Sequence, residues 1–217
     1  MSEVALARTP TAQDRAAAAL RAAILEGELR PGARVSQERW AERVGVSLIP
    51  VREALRALAG EGLVTYRQRR GYAVTELDLA ELEEVYRLRR VLETDALVRG
   101  VPRAATHDLE TLAAAMEDCR AGVDVGARLR ANRRFHDLLH GLAGSRQLSR
   151  LIDLLWDSTE AYRALYYALP GEAEEADAAH AAILAAVARA DVERVVALQD
   201  AHRARALAQL RIALAAV

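Results

Sequence analysis

The stretch Val46-Ser47-Leu48-Ile49-Pro50-Val51-Arg52-Glu53-Ala54-Leu55 decides how the N-terminal part of this chain is read. It has the features of the opening of a short helix presented outward. Ser47 has the chemistry of an N-cap, because its hydroxyl can accept a bond from one of the free first-turn amides. Pro50 falls inside that turn, where a missing N–H costs little. Upstream, Ser36 to Val44 reads as a second short helix, and Gly45 between the two can take the positive φ of a tight turn. Two helices joined in this way make a helix-turn-helix, whose second helix fits a DNA major groove. The second helix carries Leu55, Leu58 and Ala59 inward, with Arg52 and Arg56 four apart on another side.

Working outward, Leu63-Val64-Thr65-Tyr66 and Tyr72-Ala73-Val74-Thr75 flank Arg67-Gln68-Arg69-Arg70-Gly71, the pattern of a hairpin with arginines at its tip. On the other side, a helix is expected from residue 11 to about Glu26, with Ala17, Leu20, Ile24 and Leu25 inward, Gly27 ending it and Pro31-Gly32 turning the chain. Residues 1–10 read as a loose arm. Beyond Asp78 there is no strand pattern. Asp78 and Glu81 form a capping box that opens a long helix through Val85, Leu88, Leu92 and Leu97 to Gly100, broken by Val101-Pro102. Further helices are expected at about 106–121, 125–142, 145–169, 173–190 and 191–215. The fold class is therefore mainly α: an N-terminal winged helix-turn-helix of three helices and a β-hairpin wing at 11–76, then an all-helical antiparallel bundle of about six helices at 77–217. The junction Glu76-Leu77-Asp78 is too short for a floppy linker.

Charge divides along the same line. All 30 basic residues are arginine and the whole-chain net is −1, yet residues 1–75 hold 12 Arg against 8 Asp plus Glu, a net of +4 that leaves −5 for the remainder. A basic N-terminal part suits phosphates. No apolar run approaches the roughly 18 residues of a membrane span, and no signal peptide is evident, so a soluble cytoplasmic protein is expected. The lone Cys119 forbids an intramolecular disulfide.

Several of these pieces together resemble a known family. Leu29-Arg30-Pro31-Gly32-Ala33-Arg34, Gly45-Val46-Ser47, Pro50-Val51-Arg52-Glu53-Ala54-Leu55, Glu61-Gly62-Leu63-Val64 and Gly71-Tyr72-Ala73-Val74 look like the winged helix of GntR-family bacterial transcription regulators. The resemblance implies a repressor or activator that binds near-palindromic operator DNA as a homodimer. Contacts to DNA are expected from Arg39, Ser47, Leu48, Ile49, Arg52, Arg69, Arg70 and Gly71. Family members often carry Ser-Arg-Thr where this chain has Ser47-Leu48-Ile49. An apolar pair there replaces a base-reading arginine and a phosphate-binding hydroxyl, and can instead touch a thymine methyl.

In the helical half, Asn132 and His136 lie four apart on the side of Leu129, Phe135, Leu139 and Leu142, so both project from one face. His180 lies in line with Ile183, Leu184 and Val187, and His202 with Val195 and Leu198. Each histidine taken singly suits a hydrogen-bonded core residue, but three from separate helices with an amide partner suggest a metal or anion pocket. His140 can flank that pocket, and His107 suits a surface or cap position. Trp156, Tyr162, Tyr166 and Tyr167 fall within one expected helix as core or dimer-interface residues, with pocket lining as the lesser alternative.

Leu88-Arg89-Arg90-Val91-Leu92-Glu93, Asn132-Arg133-Arg134-Phe135-His136, Ala179-His180 and His202 further resemble the FCD effector domain of the FadR branch. Many members of that branch hold a divalent metal through an Asp and three His, with a small carboxylic acid completing the coordination. The resemblance implies Asn132, His136, His180 and His202 as ligands to Zn or Ni, weakened by Asn132 standing in place of Asp. An amide oxygen is a poorer ligand than a carboxylate and leaves the site one negative charge short. Arg89 is the candidate partner for an effector carboxylate, as its fork matches that group, or else it forms a structural ion pair. Two alternatives stand beside a ligand-responsive regulator. One is a metal sensor. The other is a metal-dependent hydrolase, for which no His-Glu-x-x-His pattern supplies a base.

Overall fold

The computed structural model describes residues 10–167 and 169–215; the arm expected over residues 1–10 lies, apart from Pro10, outside them. Local signals set the first elements. Thr11 caps α1 (Ala12–Leu25) reciprocally: its hydroxyl accepts the Asp14 N–H at 3.1 Å and its own N–H donates to the Asp14 carboxylate at 2.8 Å. Ser36 accepts the Arg39 N–H at 3.2 Å to open α2 (Gln37–Val44), and Gly45, at φ 69°, closes it in the left-handed region. The helix α3 (Leu48–Gly60) follows, with Ser47 at the N-cap position.

The Ser47 hydroxyl makes no capping bond, contrary to the sequence-based expectation. The third residue of α3 is Pro50, which has no N–H to offer it.

The hairpin forms as expected from β2 (Val64–Arg67) and β3 (Gly71–Val74), with Arg67 opposite Gly71 and Arg69 at φ 64° in the turn. A further strand, β1 (Arg34–Val35), pairs antiparallel with β3, so the sheet order is β1-β3-β2. Two residues carry no readable alternation, which is why β1 escapes a sequence reading. Leu20, Ile24, Trp40, Val51, Leu55, Leu58 and Val74 fill this unit's core; in α1 it is Ala16, not Ala17, that is fully buried.

The helical part runs α4 (Leu79–Gly100), a 3₁₀ turn (Val101–Arg103), α5 (Thr106–Ala121), α6 (Val125–Gly141), α7 (Arg146–Ser158), α8 (Glu160–Tyr167), α9 (Glu172–Val187) and α10 (Val192–Ala215). The single helix expected over 145–169 is thus two, and the tyrosines lie on α8 apart from Trp156 on α7. The break is made by side chains rather than by Gly or Pro. The buried Thr159 hydroxyl turns back onto the Leu155 and Trp156 carbonyls, and Arg163 donates to the Trp156 carbonyl at 2.9 Å.

The inner face of α4 also differs from expectation. It is Leu82, Tyr86, Arg89, Glu93, Ala96 and Leu97, while Leu88, Val91 and Val98 are exposed. Asp78 and Glu81 do form the capping box that starts it.

Gly100 marks the closest approach of α4 to the end of α6. A Cβ there would stand 2.7 Å from the Ala143 nitrogen and from the Leu142 carbonyl carbon, both backbone atoms that cannot step aside. Gly100→Val is expected to destabilise the fold by about 1–3 kcal/mol, the range for overpacking, measured by urea unfolding; a loss under 0.5 kcal/mol would contradict the contact.

The two halves are joined through side chains as well as through the chain. The Tyr162 hydroxyl accepts the Leu77 N–H at 2.7 Å and donates to the Leu77 carbonyl at 2.9 Å. Arg21 of α1 pairs with Glu61 and lies 3.7 Å from Glu160 at the start of α8. Leu25 packs with Leu82, Tyr86, Leu129 and Tyr162 of the helical half.

Candidate metal centre and nucleic-acid interface

Helical phase brings the candidate ligands together. Successive turns of α6 place Asn132, His136 and His140 on its buried face; α9 contributes His180, fully buried, and α10 the half-buried His202. His136, His180 and His202 each offer a ring nitrogen, and these three atoms lie within 4.8 Å of one another. Their ring centroids form a near-equilateral triangle with sides of 5.1, 5.1 and 5.5 Å.

The Nε2 atoms of His136 and His180 are 3.2 Å apart. Zinc–nitrogen bonds of about 2.0–2.1 Å in a tetrahedron place neighbouring nitrogens roughly 3.3 Å apart. The spacing therefore fits two ligands of one ion as well as it fits an N–H···N hydrogen bond. Asn132 lines the same cavity, and its buried Oδ1 has no hydrogen-bond partner in the protein. An orphaned buried acceptor calls for a partner, and here it lies in the cavity lined by two of the three histidines.

Burial is the first cause of the unusual imidazole basicity. It pushes His136 and His180 well below their ordinary value, helped by the neighbouring histidines, and lowers His202 to about 4, helped by Arg89 and Arg203. At neutral pH all three carry free lone pairs, the form that binds metal.

Beside them sits a residue that sequence reasoning left out of the site. Glu93, fully buried on α4, receives Arg89 Nε at 2.8 Å and the Trp156 indole N–H at 2.8 Å on Oε1. On Oε2 it receives Gln199 at 3.3 Å and the Arg203 guanidinium. Burial would raise its carboxyl, but the flanking cations overcome this and hold it well below the usual range. His140, 3.8 Å away, is itself lowered to about 4 by burial and is uncharged at neutral pH, so the two guanidiniums keep Glu93 ionised. The only sequence signal for this was Arg89 and Glu93 sharing one helical face four residues apart, a spacing that usually marks a solvated pair.

Arg89, the expected effector partner, is thus committed through Nε to Glu93, while it also lines the cavity with Asn132, His136, Trp156, Arg163, Gln199, His202 and Arg203. The cavity measures ≈ 30 Å³, enough for one or two waters. His107 is exposed against Thr111, as its position suggested.

At the other end of the molecule, the residues expected to read DNA are exposed. Leu48 and Ile49 at the start of α3 are 41% and 71% exposed, unusual for large apolar groups with no partner. Ser47, Arg39 and Arg52 are exposed too, and Arg52 Nε leans on Gln37 at 3.3 Å, tying α3 to α2. In the wing Arg69 and Arg70 are exposed and Gly71 is half-buried.

The comparison that decides the family is the match of residues 84–205, over half of the chain, to the FCD domain, with residues 12–74 matching the bacterial regulatory proteins of the gntR family. The chain belongs to the GntR family of regulators with an FCD domain. As a GntR-family regulator it resembles the uncharacterized HTH-type transcriptional regulator YdhC of Bacillus subtilis, 30% identical over 152 residues that make up 68% of each chain. It also resembles McbR of Escherichia coli, 29% identical over 133 residues, 60% of each.

Two solved structures share the GntR–FCD fold. Escherichia coli McbR/YncC superposes with a TM-score of 0.80 at 24% identity, covering 95% of this chain and 100% of that one. A GntR transcriptional regulator from Rhodococcus sp. RHA1 superposes with a TM-score of 0.75 at 26% identity, covering 91% and 96%. The histidine triangle, Asn132 and Glu93 all fall inside the FCD match, and α3 and the wing inside the other. Among the described residues no helix is long and apolar enough to cross a membrane.

Proposed function

We propose that this protein is a dimeric transcriptional repressor whose hold on operator DNA is set by a small carboxylic acid in the helical half. Residues 11–76 are the reading unit, and 77–217 the effector and dimerisation unit. Arg52 contacts bases or phosphate, Leu48 and Ile49 meet thymine methyls, Ser47 and Arg39 contact the backbone, and Arg69, Arg70 and Gly71 track a neighbouring groove. The exposed Leu88, Val91 and Val98 of α4, beside Leu151 and Leu154 of the adjoining α7, offer an apolar face for the second protomer. Repression follows the printed description of one relative, the gluconate operon transcriptional repressor of Bacillus licheniformis, 36% identical over 97 residues, 45% of this chain and 39% of that one.

The observation that carries the effector site is the histidine triangle with the orphaned Asn132 oxygen beside it. His136, His180, His202 and Asn132 would hold a divalent ion such as Zn or Ni, which when bound supplies a fixed positive point for a carboxylate. The chain's own groups do the rest. Glu93 fixes the Arg89 and Arg203 side chains, and Trp156 closes the cavity between α4 and α6. Asn132 brings no charge, so the ion is held loosely until an anion adds to it.

The test uses the full-length protein stripped with EDTA. Titration calorimetry with ZnCl₂ is expected to find one ion per chain, and His180→Ala to weaken it by about 100-fold or more, with gel shift of the protein's own promoter region retained. Zinc uptake identical in both proteins would remove the metal assignment; no shift of any promoter fragment would remove the repressor reading.

A further inference from the structure

Arg163 on α8 is a buried cation that makes no salt bridge among the described residues, its nearest acidic influence being Glu160 one turn away. Its side chain is 5% exposed, yet among the described residues no carboxylate lies within ion-pair distance of it. It donates to the Trp156 carbonyl at 2.9 Å and the Thr159 hydroxyl at 3.2 Å, and its guanidinium stacks 4.2 Å from the centre of the Trp156 ring. Its buried Nε has no partner at all. Burial lowers its basicity to about 10, which still leaves it charged at neutral pH. A buried guanidinium with unfilled donors costs stability unless something negative meets it.

That residue lines the same cavity as Arg89 and Arg203. Those two share the carboxylate of Glu93, and Arg203 also meets Asp200, so both are paired, whereas Arg163 has no carboxylate within ion-pair distance among the described residues. The positive stations are separate. Arg89 and Arg203 are tied to α4 through Glu93, whereas Arg163 is tied to the α7–α8 break. Arg89 and Arg163 each lie 4.2 Å from the Trp156 ring centre, so they flank one cavity wall within the span of a short carbon chain.

Resting on the effector reading above, we infer that the anion taken by this site is a short dicarboxylate, with one acidic group toward the histidines and Arg89 and the other on Arg163. Asn132, which adds no negative charge to the site, favours a doubly charged ligand for the same reason. The wall that must yield to admit it is shared with a surface groove between α4 and α10, to which Tyr86 and Arg203 belong on both sides. Arg163 also gives the ligand a handle on DNA binding. Drawing the guanidinium toward a carboxylate loads the Trp156–Thr159 break, and α8 beyond it carries Glu160, which faces Arg21 of the winged helix.

The experiment is calorimetric titration of the full-length protein, zinc-loaded and EDTA-treated, with malonate, succinate and glutarate against propionate, butyrate and inorganic phosphate. At least one dicarboxylate is expected to bind ten-fold or more tightly than its monocarboxylate analogue and than phosphate. Arg163→Gln is expected to erase that preference, and Arg163→Lys, which keeps the charge, to retain part of it, with monocarboxylate affinity within two-fold in both, which also shows that the variants are folded. Equal affinity for mono- and dicarboxylates in the wild type, preference for phosphate, or an unchanged dicarboxylate affinity in both variants would overturn the inference and leave the effector reading standing. If none of the probes binds in either form, both fall together.

Discussion

Glu93→Gln is expected to cost about 3–5 kcal/mol of folding stability, the range for breaking a buried ion pair by removing one partner. The amide keeps the shape of the carboxylate and can still accept from Trp156. It cannot neutralise Arg89 and Arg203, whose side chains are each 5% exposed. Neither cation has another carboxylate at hand except Asp200, which meets Arg203 from the partly exposed side. Urea unfolding at pH 7.5 measures the loss. Arg203→Gln alone is also destabilising, but adding it to Glu93→Gln should cost much less than the sum, because the second change removes a charge that the first left stranded. A single-variant loss under 1 kcal/mol would mean that Glu93 is not the electrostatic centre of the bundle.

Acid should act on the same region with comparable force. The metal-free protein is expected to lose several kcal/mol between about pH 6.5 and pH 4. The sign follows from the histidines. Their folded values lie below the ordinary 6.5, so in this window the unfolded chain takes up protons that the folded chain refuses. Stability therefore falls as pH drops from the ordinary value toward the folded ones, and levels off beneath them. His140 and His202, each lowered to about 4, contribute about 3 kcal/mol apiece at the low end. His136 and His180 lie lower and extend the loss.

Asp157 works in the opposite direction, since burial lifts it to about 6 and its protonation favours the folded state, offsetting at most about 3 kcal/mol. Glu93, held low, adds its own loss once the pH enters the ordinary carboxylate range near 4.5, where the unfolded chain takes up a proton that the folded chain refuses. Denaturant midpoints in EDTA at pH 7.5, 6 and 5 check this, and a midpoint that does not move would show that these imidazoles reach water.

What could be read from residues alone follows how local each signal is. The capping box at Asp78, the left-handed Gly45 and the arginine-tipped hairpin are short-range, and all stand where the sequence put them; the box at Thr11 is equally local, though it was not read from the sequence. The triangle of His136, His180 and His202 was legible from helical phase, because a polar residue in line with Ile183 or Val195 must point where they point. Glu93 was not. Its carboxylate is buried by partners from α7 and α10 that lie 63 to 110 residues away, and nothing next to it in sequence announces them.

The same cause misassigned α4. The apolar Leu88 looked inward by composition, but the buried face is the one bearing Arg89 and Glu93. The α7–α8 break at Thr159 depends on Arg163 reaching back across the turn, a contact that no propensity scale registers.

The pair of hydrogen bonds between Tyr162 and Leu77 has a mechanical meaning. One hydroxyl both takes the N–H and gives its proton to the carbonyl of a single residue, so the crossover between the two halves is pinned at one residue. Together with Arg21 against Glu160 and Leu25 packed on Leu82, Tyr86 and Leu129, this pair couples the start of α4 and α8 to the winged helix at more than one place. In the dimer proposed above, a shift of α8 would then be felt as a change in the placement of α3, and half-sites on DNA are spaced by the pitch of the duplex.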